Sequence, residues 1–173
     1  MLEIEAKIKI DDFSPIRSRL KALDAQLIGQ HHETNIFLDT PDKKLLSADS
    51  GLRLRRNHNF QNNKTQFVLT FKGPRLPGQV KARQEYETEV SSDENTLSLL
   101  SCLGFVPTLR FEKNRESWKL GDCKVELDDL PKLGRFVEIE GPDEARVLEV
   151  RGLLGLGSEP MIHESYAALL ANL

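Results

Sequence analysis

Glu3, Glu5 and Lys7 alternate with Leu2, Ile4, Ala6 and Ile8. This is the period-two pattern of a strand, so the three charges share one face. Two carboxylates placed this way project together, about 6–7 Å apart along the strand. They offer the oxygen ligands that Mg2+ and Mn2+ prefer. Glu138 and Glu140 repeat the spacing. Arg53 and Arg55 supply planar forks suited to phosphate oxygens, and Lys72, Lys113 and Arg115 add positive charge. Glu85 with Glu87, and Lys124 with Glu126 and Asp128, are further same-face sets.

A single charged strand face is ordinary, because antiparallel sheets often turn one side to water. These faces are less ordinary taken together: acidic pairs occupy some strands and basic pairs others, where a solubility surface intersperses the signs. If about eight antiparallel strands close into a barrel, alternate residues converge on one lumen and the apolar faces pack outward against helices. So many buried charges are costly unless paired or bound to charged ligands. A polyphosphate with divalent cations meets that need.

Other chemistries lack their residues. No GxxxxGK[ST] cradle is present, Ser50 and Ser165 have no GxSxG context, and His31, His32, His58 and His163 lack metal-type spacing. The histidines are expected in loops or near element ends. Cys102 and Cys123 form no CxxC and are expected as buried or half-buried free thiols. Trp118 is expected to be a packing anchor. The chain has 173 residues, 39% apolar and 29% charged, with a net charge of −3. That fits one domain over 1–173 and gives no global attraction to nucleic acid or membrane. No apolar run approaches the length of a membrane span and the chain opens directly on strand-like sequence, so a cytoplasmic location is expected.

The elements that must position these side chains follow from pattern and punctuation. Met1–Ile10 reads as a strand, and Ser14 and Pro15 as the start of a helix carrying Ile16, Leu20, Leu23 and Leu27 up to Gly29. Strands are expected at Asn35–Asp39, Gly51–Arg56, Gln66–Lys72, Arg83–Val90, Thr108–Glu112, Arg115–Leu120, Cys123–Asp128 and Phe136–Glu140. Asn57–Lys64 and Pro74–Val80 read as loops, the second a candidate gate at one mouth because of its Gly, Pro and basic content. Helices are expected at Asp93–Leu103, Asp143–Leu154 and Glu164–Leu170.

The ordered motifs resemble the CYTH family, the triphosphate tunnel metalloenzymes. They are ExExK at Glu3–Lys7, FxDT at Phe37–Thr40, LRxR at Leu52–Arg55, TxKG at Thr70–Gly73, RxExE at Arg83–Glu87, KxR at Lys113–Arg115, an LDxxxxLGxFVEIE-like stretch over Leu127–Glu140, and Ser165-Tyr166. The resemblance implies an α+β fold: a closed eight-stranded antiparallel barrel with helices packed outside. It implies Glu3, Glu5 and Glu138 as metal ligands for Mg2+ or Mn2+, with Glu140 close by. Lys7, Arg53, Arg55, Lys72, Lys113 and Arg115 become triphosphate contacts, and Glu85, Glu87, Glu140 and Asp128 tunnel acids. Lys7, Arg53, Arg55, Lys72 and Asp128 are expected to serve catalysis. ATP or another triphosphate is the expected partner, with no nucleic acid or membrane and a homodimer left open.

The TFKGP wording at Thr70–Pro74, the basic loop before Arg83 and the EIEAK start look most like the class IV adenylyl cyclase branch. There the ATP 3′-hydroxyl attacks the α-phosphorus and pyrophosphate leaves. The alternative is a triphosphatase, in which water attacks the terminal phosphorus of thiamine triphosphate, tripolyphosphate or a nucleotide. A non-catalytic polyphosphate-binding module is disfavoured by the intact acids.

Overall fold

The computed structural model describes residues 1–173. Eight strands close into one barrel: β1 (Leu2–Ile10), β2 (Gln26–Asp39), β3 (Gly51–Asn59), β4 (Lys64–Leu76), β5 (Lys81–Val90), β6 (Val106–Leu120), β7 (Cys123–Leu130) and β8 (Gly134–Glu140). Their spatial order is β1-β5-β4-β3-β2-β6-β7-β8, with every neighbouring pair antiparallel. Closure removes both sheet edges and aims alternate residues of every strand at one axis. Five helices accompany it: α1 (Ser14–Ala22), α2 (Lys44–Ser47), α3 (Asp93–Cys102), α4 (Glu144–Leu153) and α5 (Tyr166–Ala171). The expected fold class is the observed one.

The apolar halves of the alternations face outward, where helices cover them. Ala6, Ile8, Trp118, Val125, Leu127, Val137 and Ile139 pack with Ile16 and Leu20 of α1 and Val147 and Val150 of α4 in a cluster of 17 buried residues. Around the barrel, Leu38, Leu52 and Leu54 pack with Leu100 of α3 in a much smaller cluster. Trp118 is the expected packing anchor, its Nε1 donating to Glu116 Oε1 at 2.7 Å. The C-terminal segment then returns to the barrel. Met161 bridges to Ile8, and Ile162 N donates to Lys7 O at 2.8 Å, which brings α5 against the lumen.

Several boundaries differ from expectation. The first helix stops at Ala22 because Asp24 takes a left-handed turn at φ 56°, and Leu27 pairs with Trp118 as part of β2. Its N-cap residue is Phe13, without a side-chain cap, and Asp12 Oδ1 just before it accepts from Ser14 N and Oγ, both at 3.0 Å. β2 begins nine residues before the expected Asn35, so His31 and His32 lie within a strand. The expected strands Thr108–Glu112 and Arg115–Leu120 are one strand, β6, running alongside β2 over most of its length. Half of Asn57–Lys64 is strand, and the turn is confined to residues 60–63, closed with Asn63 at φ 55°. Pro74–Leu76 belongs to β4, and the remaining turn is tied down, because Gln79 N donates to Glu144 Oε2 at 3.1 Å. Cys123 is buried, whereas Cys102 is exposed.

Candidate active site

The barrel encloses a cavity of about 1150 Å3, lined by charged side chains from all eight strands and by one face of α5. Register determines which charges meet. Glu5 lies opposite Lys81 on β5 and Glu140 on β8, and Lys7 lies opposite Glu138. Glu138 in turn faces Glu126, while Arg115 faces Asp128. Across the lumen Arg53 lies between Phe37 and Thr70, Arg55 opposite Asn35, and Lys72 opposite Glu85. Lys7, Arg53, Arg55, Lys72, Lys113, Arg115, Glu3, Glu5, Glu85, Glu87, Glu138 and Glu140 all line this one cavity. Asp128 sits behind them, fully buried.

On the β6–β7–β8 wall the charges are locked together. Arg115 donates to Asp128 through Nε at 2.6 Å and Nη2 at 2.5 Å, to Glu138 at 2.6 Å, and also pairs with Glu126. Asp128 additionally accepts from Lys113 Nζ at 2.8 Å and Tyr166 Oη at 3.0 Å. Lys7 pairs with Glu138 at 3.4 Å, donates to Glu164 O at 2.9 Å and lies 4.1 Å from the Tyr166 ring centre. Burial pushes the Lys7 ammonium below its ordinary pKa against the pull of Glu138 and Glu5. Burial pushes Glu138 and Glu33 upward, yet the surrounding cations hold both well below the carboxylate range: Lys7, Lys113 and Arg115 around Glu138, and Lys113, Arg115 and Arg55 around Glu33.

The β3–β4–β5 wall is looser. Arg53 reaches Thr70 Oγ1 at 3.3 Å and Glu87 at 3.9 Å, and Arg55 reaches Glu33 at 3.6 Å and Glu87 at 3.5 Å. The Nε groups of both arginines are buried without a hydrogen-bond partner. Desolvation and the neighbouring Arg55 press the Arg53 guanidinium below its usual pKa. Two adjacent, under-paired guanidinium groups form a ready anion site.

The acids expected to hold metal are each turned toward a lysine or arginine. Glu3 accepts from Lys72 at 3.1 Å, Glu5 pairs with Lys81, and Glu138 is held by Lys7 and Arg115. As the side chains stand, no three carboxylates, histidines or cysteines gather around one point as a metal cage. The donor set nonetheless suits a hard divalent cation. Burial raises the Glu140 carboxyl above its ordinary pKa, and the negative charges of Glu126, Glu3 and Glu5 raise it further. Glu3 is raised as well, first by burial and then by its bond with Glu85. Carboxylates close enough to repel one another in a buried lumen are stabilised by a shared cation.

Some lumen residues carry no role in the sequence reading. Lys81 adjoins a segment that reads as loop up to Val80. Glu33 and Asn35 lie in the part of β2 whose polar run QHHETN lacks apolar alternation, although Asn35, Phe37 and Asp39 continue one face. Glu126 shares a face with Asp128 in the sequence, and the structure makes it a partner of Arg115 and Lys124.

Comparison with known proteins agrees with this geometry. The CYTH domain profile matches residues 1–155. The chain belongs to the CYTH family. A Methanocaldococcus jannaschii protein provisionally named an adenylate cyclase is 29% identical over 178 residues, covering 98% of each chain. Among solved structures, the Pyrococcus horikoshii protein PH1819 is 27% identical, covers 98% of each chain and superposes with a TM-score of 0.84. The Hippeastrum protein HpAC1, described as a provisional adenylyl cyclase with a dominant triphosphatase activity, shares the fold. It is 20% identical with a TM-score of 0.76, and the match covers 98% of this CYTH chain and 95% of HpAC1.

Proposed function

We propose that this CYTH chain, as one unit over 1–173, is a divalent-metal-dependent enzyme that holds a triphosphate in its tunnel. In this reading it converts ATP to cyclic AMP and pyrophosphate. The observation that carries the proposal is the meeting, in one cavity, of the under-paired Arg53 and Arg55 with the acids Glu3, Glu5, Glu138 and Glu140. The name of the M. jannaschii relative, matched end to end, supports the cyclase direction.

Arg53 and Arg55 would clamp phosphate oxygens, with Lys7, Lys72, Lys113 and Arg115 neutralising charge around them. Glu3, Glu5 and Glu138 would hold the cation, Mg2+ or Mn2+, with Glu140 beside them. When bound, the cation would withdraw charge from the phosphate oxygens. Lys72 and Lys81 then act as counter-ions exchanged when cation and phosphate enter, because they already neutralise Glu3 and Glu5. Glu85 and Glu87 would keep Lys72 and the arginines oriented, and Asp128 would fix Lys113, Arg115 and Tyr166.

A second reading, hydrolysis at the terminal phosphorus, is favoured by the description of HpAC1, a fold relative with a dominant triphosphatase activity. Product separation after incubation with ATP and Mg2+ or Mn2+ decides between them. Cyclic AMP with pyrophosphate is the predicted outcome. ADP with phosphate would replace the cyclase by the hydrolase, and no turnover of ATP, tripolyphosphate or thiamine triphosphate would overturn the enzyme reading.

A further inference from the structure

Asn35 is wholly buried and lines the tunnel, and neither its amide oxygen nor its amide nitrogen has a hydrogen-bond partner. A carboxamide buried with both ends unpaired is unfavourable unless something completes it. Its neighbours indicate what that is. In the β-sheet register Asn35 stands between Arg55 on one side and Phe111 on the other, and Phe37, the next inward residue, stands between Arg53 and Leu109. The Phe37 and Phe111 rings lie nearly parallel, 6.0 Å apart between centres and inclined by 18°, and both line the cavity. Leu45 of α2 and Ala168 and Ala171 of α5 extend the apolar lining.

Cross-strand neighbours are about 5 Å apart, so this aromatic patch adjoins the arginine pair directly. A triphosphate chain on Arg53 and Arg55 would place its organic substituent within reach of the rings. Inorganic tripolyphosphate, charged and hydrated along its whole length, has no use for such a wall. A flat ring system has: it stacks on aromatic faces, and an asparagine carboxamide can pair with an adjacent donor and acceptor on its edge.

We propose that Asn35, Phe37 and Phe111 form the subsite for the organic part of the substrate, and that this part is a planar heteroaromatic ring with neighbouring donor and acceptor atoms, as in adenine. The inference rests on the triphosphate reading above. Asn35 reads the polar edge of the ring, while Phe37 and Phe111 take its face.

Calorimetric binding, in Mg2+, of the α,β-methylene analogue of ATP and of inorganic tripolyphosphate tests the subsite. Asn35→Ala and Phe37→Ala are each expected to weaken the ATP analogue about tenfold. Tripolyphosphate affinity is expected to stay within about twofold. Thermal unfolding establishes that the variants are folded, and Phe37→Leu, which keeps apolar volume but loses the flat face, is expected to show the same selective loss. Equal weakening of both ligands would overturn the subsite and make Asn35 a phosphate contact. Unchanged affinity for the ATP analogue, or wild-type protein that binds tripolyphosphate but not the analogue, would also overturn it while leaving the triphosphate reading intact. Wild-type protein that binds neither would overturn that reading and the subsite with it.

Discussion

The two walls of the tunnel carry similar residues in different states. On the β6–β7–β8 side, Arg115 is shared among Asp128, Glu126 and Glu138, and the strands behind it are covered by the larger apolar cluster with α1 and α4. On the β3–β4–β5 side, Arg53 and Arg55 make only long contacts and keep unpartnered Nε groups, and only four buried residues back the wall. The difference is one of commitment. A guanidinium saturated by three carboxylates organises the fold around it and meets a ligand through its charge alone, whereas one left under-paired has donors free for a ligand. A single residue type therefore serves two ends, and its partners decide which.

Substitutions should separate the walls. Arg115→Ala strands the carboxylates of Asp128, Glu126 and Glu138 in the interior and is expected to cost about 3–5 kcal/mol of stability, read from urea unfolding. Arg53→Ala should lower turnover of the triphosphate about 100–1000-fold, while costing less stability than Arg115→Ala, because no carboxylate loses a short partner. An Arg53 variant as unstable as the Arg115 variant would erase the distinction between the walls. Next in size is acid sensitivity. Glu33 is held below its ordinary value of 4.5 in the folded state, so its contribution is complete above that pH and is lost as pH falls further, through its folded-state pKa. Glu33→Gln should flatten the fall of the urea midpoint below about pH 4.5; an unchanged slope would remove Glu33, which bridges the two walls from β2, from the groups that stabilise the barrel. The smallest effect belongs at the rim, where Asp49 and Arg75 form a half-exposed pair at 2.9 Å. Asp49→Ala should change stability by about 1 kcal/mol or less, and a larger loss in the thermal midpoint would show that the open wall depends on its edge.

The locked wall was largely legible in the sequence, because Lys124, Glu126, Asp128, Glu138 and Glu140 alternate with the apolar residues that define their strands. The barrel itself was legible for the same reason, period two being a local property. What escaped was set by distant pairing. Leu23 and Leu27 continue a helical spacing, but Asp24 turns the chain and β6 takes up Leu27 as a strand partner. Glu33 sits in a polar run that becomes strand only because β3 and β6 flank it, so its burial inside the barrel has no local signal, whereas Asn35 opens the segment that already reads as strand. Arg115 could be recognised as a charged lumen residue, but its triple engagement by carboxylates depends on the register of β6 with β7 and β7 with β8.

The proposed metal-dependent chemistry rests most directly on the acids of β1. Phosphorus-31 NMR of ATP with Mg2+ follows the reaction at each phosphorus, for wild-type protein and for Glu5→Gln in parallel. The wild type is expected to consume the ATP signals, chelation to stop the reaction, and folded Glu5→Gln to leave the signals unchanged. Turnover by Glu5→Gln at the wild-type rate, or turnover indifferent to chelation, would contradict the metal-dependent chemistry.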